Sequence, residues 1–288
     1  MIDTIPYDYF GDSQLDLKPA MHFCHANGYP PLAYRPLFKS MVDRFNIWAM
    51  RMRPLWPGAE PLSIMDWRPL ANDLAGFLDE QGLDSIIGVG HSMGATTTLR
   101  LALRQPDRFS AIILIDPVIF PPVFTGIWSF LSRFGFSYPL SPLISRTLNR
   151  RNNFDKLTTM FSNYRNKLVF AKMDDDALMA YCDSLACIQA DGSLRLCYSP
   201  EWEARIYITG IRADQEIWRN LKYLKPPLLL IRGAESDTFF NRTALLFQGR
   251  LSSVQIETIP NATHLVPLEY PELVSTSIRE FLTYTQNL

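Results

Sequence analysis

Net charge is almost absent from this 288-residue chain: 28 lysines and arginines face 29 aspartates and glutamates, leaving −1. Without a surplus of either sign no long-range field gathers nucleic acid or an anionic membrane, and nucleic-acid binding is set aside. Cysteine is scarce. Cys24, Cys182, Cys187 and Cys197 lack the paired short intervals of a zinc site and are too few for a disulfide scaffold, so they are expected to be reduced and mostly buried. A long uninterrupted apolar run is also missing. The most apolar stretch, Ala111 to Trp128, is broken by Asp116 and three prolines, so no integral membrane segment is expected. The opening residues Met1 to Pro6 show no basic segment leading into an apolar run, hence no secretory signal. A cytoplasmic protein is the resulting expectation.

Hydrophobic residues (47%) and charged residues (20%) are in ordinary globular proportion, enough for one large domain with an insertion or two smaller ones. In the first and last thirds, short β-rich runs alternate with amphipathic helical patterns. Strands are expected at Met21–Cys24, Phe45–Met50, Ser85–Gly90, Ala111–Ile115, Pro227–Ile231 and Val254–Ile259. Helices are expected over Asp66–Gln81, where Trp67, Leu70, Leu74, Phe77 and Leu78 share one face, over Met93–Arg104 and over Pro271–Tyr284. Runs apolar on both faces and separated by helices call for a doubly wound, mostly parallel sheet. Between about Pro117 and Leu221 this rhythm stops. Prolines and aromatics (Phe120, Phe124, Trp128, Phe130, Phe134, Phe136, Tyr138) crowd its start, and helical patterns such as Asp174–Cys187 follow. The expected organisation is a core of residues 1–117 and 222–288, with residues 118–221 forming a mainly helical cap inserted between core strands.

The most informative pentapeptide is Gly90-His91-Ser92-Met93-Gly94, a G-x-S-x-G pattern between a buried strand and a helix. There a sharp turn strains the serine backbone, needs glycine at its flanks, and lifts the hydroxyl above the strand ends at the positive end of the next helix. On these residues and their context the chain resembles the α/β-hydrolase superfamily, in its serine esterase and lipase-like branch with a cap. The resemblance covers Met21 to Pro117 and Pro226 to the end and is weak across the insertion.

A serine hydroxyl needs a base, and the base a group to orient it. Of four histidines only His264 lies downstream of the serine, just after the last strand, in a loop similar to the family's histidine loop. For the acid, Asp237 closes Arg232-Gly233-Ala234-Glu235-Ser236-Asp237 after the strand ending at Ile231, where the family often places it. Asp116, at the end of Ile113-Leu114-Ile115-Asp116-Pro117, is the main rival because some relatives use the earlier strand, and Glu235 a weaker one. Asp237 is the choice. Oxyanion donors are expected from the Met93 amide and, since Cys24-His25-Ala26-Asn27-Gly28-Tyr29-Pro30 resembles the family's H-G-x-P loop with Ala26 in place of the usual glycine, from the Asn27 amide. His25 is expected to stabilise that loop by hydrogen bonding. Phe120, Phe124 and Trp128 are expected to bind the substrate.

The resemblance implies hydrolysis of a small hydrophobic ester through an acyl-Ser92 intermediate, with no metal and no cofactor. The same triad would serve thioester or amide hydrolysis, carbon–carbon cleavage or acyl transfer, and a ligand-binding member of the fold stands as the non-enzymatic alternative. Serine at the turn argues against epoxide hydrolase or dehalogenase chemistry, which in this superfamily uses aspartate there. No sequence feature speaks to the oligomeric state.

Overall fold

A computed structural model describes residues 4–11, 18–134 and 142–286. The core is a seven-stranded sheet built from β1 (Tyr7–Phe10), β2 (Ala20–Cys24), β3 (Asn46–Met50), β4 (Ile86–His91), β5 (Phe109–Ile115), β9 (Leu228–Gly233) and β10 (Gln255–Ile259), in the spatial order β1-β3-β2-β4-β5-β9-β10. Every pairing is parallel except β1 with β3. The central strands β4, β5 and β9 are buried almost throughout, which explains why they read as continuous apolar runs rather than alternating ones. Each expected core strand is present within two residues at either end. The half-exposed Tyr7-Asp8-Tyr9-Phe10 is an added edge strand, too short to announce itself.

The connecting helices are α1 (Arg35–Lys39), α2 (Arg68–Glu80) and α3 (Met93–Arg104); α2 lies beside α3. From β2 the chain moves outward to β3, then recrosses β2 to reach β4. Adjacent strands β2 and β4 therefore send their C-terminal loops in opposite directions, and such a reversal opens a crevice above the strand ends. Loop 25–30 follows β2 and Ser92 follows β4 at this reversal.

Between β5 and β9 lie α4 (Pro122–Arg133), α5 (Pro142–Leu148), α6 (Leu157–Arg165), α7 (Asp175–Leu185), α8 (Pro200–Thr209) and α9 (Gln215–Asn220). The helical content agrees with expectation. A small antiparallel sheet of β6 (Asn153–Phe154), β8 (Leu194–Leu196) and β7 (Ala186–Ile188) was not foreseen. Phe136 and Tyr138 lie outside the described residues. The chain closes with α10 (Asn241–Gln248), α11 (Val266–Glu269) and α12 (Pro271–Gln286), the last packing on α1. Among the described residues no helix is long and apolar enough to cross a membrane.

The reading of four reduced cysteines is corrected. Cys187 and Cys197 form a disulfide across the β7–β8 hairpin, with Cα atoms 5.3 Å apart, while Cys24 and Cys182 are buried thiols. Ten residues of separation gave no signal because the hairpin that folds the two together was itself unread. Burial pushes the Cys182 thiol up to about 12 and raises that of Cys24 further. A structural disulfide belongs to oxidising surroundings, so the pairing removes one ground for the cytoplasmic expectation. Closing so short a loop contributes about 2–3 kcal/mol. Thiol titration in denaturant tests the pairing: two thiols per chain are expected without reductant and four after reduction, and four without reductant would refute it.

Candidate active site

Ser92 sits between β4 and α3 at φ 56°, ψ −119°, a region that side chains avoid and that costs about 1–3 kcal/mol. Close packing imposes it. A methyl on Gly94 would collide with the carbonyls of Cys24 and His25, and one on Gly90 would lie 2.5 Å from the Gly94 backbone. With both glycines present, α3 starts directly against the end of β2, and Gly94 meets the Cys24 and His25 carbonyls at the start of loop 25–28. The Ser92 N–H donates to the Ile115 carbonyl at 2.9 Å and ties the turn to β5.

His264 follows β10 in a loop stiffened by Glu269, whose carboxylate accepts from the Thr263 N–H at 2.7 Å and the Thr263 hydroxyl at 2.6 Å. Its Nε2 lies 2.9 Å from Ser92 Oγ and its Nδ1 2.8 Å from Asp116 Oδ1. Asp116 is fully buried, at φ 40°, and also accepts from the Gly233 N–H at 2.9 Å and the Ser236 hydroxyl at 2.6 Å. A carboxylate with three donors is firmly oriented and stays an acceptor toward the imidazole, so Nδ1 carries the proton and Nε2 faces the serine with its lone pair.

The choice of Asp237 is therefore corrected: the carboxylate on His264 is that of Asp116. Register gives the reason. Ile115 pairs with His91 on one side and Ile231 on the other, so the residue after Ile115 emerges beside the serine turn. Asp237 lies six residues beyond Ile231, exposed, and its Oδ1 accepts from the adjacent Thr238 hydroxyl at 3.1 Å. The turn after β9 serves the site through Gly233 and Ser236. Glu235 is exposed and paired with Lys172 at 2.5 Å.

Two residues that carried no role in the sequence join the three loops. The Ala26 N–H donates to Tyr34 Oη at 3.1 Å, Tyr34 Oη lies 2.7 Å from His91 Nδ1, and His91 Nε2 lies 2.9 Å from the His264 carbonyl. A carbonyl only accepts, so His91 Nε2 bears hydrogen; burial holds the His91 pKa well below its usual value, so the ring is neutral and Nδ1 accepts from Tyr34. His25, as expected, is a loop stabiliser. Its Nδ1 donates to the Ala26 carbonyl at 2.8 Å, its Nε2 accepts from the Met52 N–H at 3.0 Å, and burial lowers its pKa to about 4.

Phe120, Phe124 and Trp128 form a row of rings, with centroids 5.1 Å apart for the first pair and 6.0 Å for the second, the latter stacked. The row begins two residues after Val118, whose N–H reaches the Ser92 carbonyl at 3.4 Å. Phe124 is 43% exposed. No group of three or more His, Cys, Asp or Glu side chains among the described residues is arranged to hold a metal ion.

Comparison with known proteins finds relatives that cover most of the chain. A 2-(acetamidomethylene)succinate hydrolase of Mesorhizobium japonicum is 24% identical over 265 residues, 92% of this chain and 88% of that protein. A soluble epoxide hydrolase of a Corynebacterium species is 25% identical over 270 residues, 88% and 87% of the two chains. The crystal structure of an E-2-(acetamidomethylene)succinate hydrolase superposes with a TM-score of 0.75 at 21% identity, covering 96% of this chain and 93% of the other, which speaks to the fold. The model of the alpha/beta hydrolase family matches residues 23–276, and the chain belongs to that family.

Proposed function

We propose that this chain is a serine hydrolase that cleaves an ester of a hydrophobic acyl group through an acyl-Ser92 intermediate. The observation that carries the reading is the unbroken line from Ser92 Oγ through the His264 ring to buried Asp116, with contacts of 2.9 and 2.8 Å. Nε2 takes the hydroxyl proton as Oγ attacks the carbonyl carbon. Asp116 stabilises the imidazolium without itself taking a proton. The oxyanion is met by the amides of Met93 and Asn27; at the first residue of α3, the Met93 N–H has no acceptor within the helix. The imidazolium then protonates the departing alkoxide, and water activated by the same ring attacks the acyl carbon and restores Ser92.

The row Phe120, Phe124 and Trp128 supports an apolar acyl group, because it extends from the segment in contact with the serine turn and leaves ring surface uncovered. Residues 118–221 act in this reading as a cap over the crevice. Amide hydrolysis is a second reading, favoured by the acetamido group in the Mesorhizobium relative's name. The soluble epoxide hydrolase relative does not redirect the proposal, since this chain holds serine at the turn.

A fluorophosphonate probe should label the native protein and not Ser92→Ala; equal resistance of both would defeat the reading. Asp116→Asn should slow labelling and ester turnover by about 10³- to 10⁴-fold, with Asp237→Asn within about twofold of native. The reverse ranking would restore Asp237. On p-nitrophenyl esters, kcat/KM should rise from acetyl to octanoyl, and a preference for acetyl would remove the apolar acyl assignment. An acetanilide turned over faster than the matched acetate ester would favour the amide reading.

A further inference from the structure

Asn27 spends its whole side chain on the inserted segment. Its Oδ1 accepts from Tyr198 Oη at 2.9 Å and its Nδ2 donates to the Glu203 main-chain carbonyl at 3.1 Å; Tyr207 also bonds to this side chain. These partners lie more than 170 residues along the chain, in the turn leading into α8 and on α8 itself. Tyr198 is fully buried. The next residue is pressed on from the same side: Gly28 holds φ +79°, and a methyl there would lie 3.3 Å from the Glu203 carboxylate carbon.

The gripping element is itself fixed. Ser199 caps α8 by accepting from the Trp202 N–H at 3.2 Å. Arg150 pairs with the Glu203 carboxylate and reaches Tyr164 Oη at 2.5 Å, joining α8 to the neighbouring helices of the insertion. Toward the core, Trp202 Nε1 donates to the Ala59 carbonyl at 3.1 Å, Arg205 to that of Ile64 at 2.6 Å, and Trp67 Nε1 to that of Ile206 at 3.2 Å. So α8 is a brace bolted to the core on one side and to loop 25–28 on the other.

Within that loop the Ala26 N–H is given to Tyr34 and the Asn27 side-chain amide to Glu203. The Asn27 main-chain N–H is the donor that the serine-hydrolase reading assigns to the oxyanion together with that of Met93. We infer that the insertion completes the oxyanion hole: Tyr198 and the Glu203 carbonyl are positioning groups that aim the Asn27 main-chain N–H at the developing oxyanion by gripping its side chain at both ends. This inference rests on the serine-hydrolase reading above. Its physical content is that a donor helps only at the place the oxyanion will occupy, and that displacement by a fraction of an ångström forfeits much of its value.

Tyr198→Phe removes one grip while keeping the ring, and Asn27→Ala removes both while keeping the main-chain N–H. Each should lower kcat on the best ester by about ten- to hundredfold with KM within about twofold, and weaken a trifluoromethyl ketone that mimics the tetrahedral oxyanion by the same factor. Tyr198→Phe should slow the Asn27→Ala background by less than it slows the native protein, because the two changes share the Asn27 linkage and only the Tyr198 contact with the Gly28 main chain lies outside it. If Tyr198→Phe melts earlier yet keeps native kcat and ketone affinity, the tyrosine is only structural and the inference falls. Multiplying effects in the double variant would also overturn it. Native protein that turns over no ester and takes no fluorophosphonate would instead sink the underlying reading, a result distinct from native turnover unaffected by Tyr198→Phe.

Discussion

The contact between the first turn of α3 and the carbonyls that end β2 is the constraint on which this molecule depends. Because Gly94 has no side chain, helix and strand meet backbone to backbone, and Ser92 is forced to φ 56°. Such a conformation persists only where its surroundings over-determine it. Here the surroundings are β4 and β5, both buried, and the hydrogen bond from the Ser92 N–H to Ile115. The same contact sets the start of loop 25–28 against the first turn of α3.

The remaining parts of the site are tied to that point by polar links between buried groups, which are worth more there than at the surface and cost more when broken. The line Ala26–Tyr34–His91–His264 joins the loop after β2, the serine turn and the histidine loop through a neutral imidazole. Asp116 is held by two donors at the end of β9 and in the turn after it, Gly233 and Ser236. His264 is thus fixed by its ring, through Asp116, and by its main chain, through His91.

Much of this was legible in the sequence because it depends on local pattern. The core strands announced themselves as doubly apolar runs, and Gly90-His91-Ser92-Met93-Gly94 marked the turn by its pattern and its place between a strand and a helix. His264 followed from its place after the last strand. What could not be read depends on register between distant segments. Two aspartates follow two adjacent strands, and only the alignment of Ile115 with both His91 and Ile231 brings Asp116 to the imidazole. The Cys187–Cys197 pairing needed the β7–β8 hairpin, three residues per strand and below any periodicity signal. No local pattern marks Tyr34 or Tyr198; their hydroxyls matter because of what lies 57 and 171 residues away.

The central claim is that the His264 ring bridges Ser92 and Asp116, and proton NMR of ¹⁵N-labelled protein tests it most directly. The account predicts a far-downfield, slowly exchanging proton on His264 Nδ1, present in the native protein and in Asp237→Asn, absent in Asp116→Asn. A native spectrum without that proton, or its loss in Asp237→Asn alone, would contradict it.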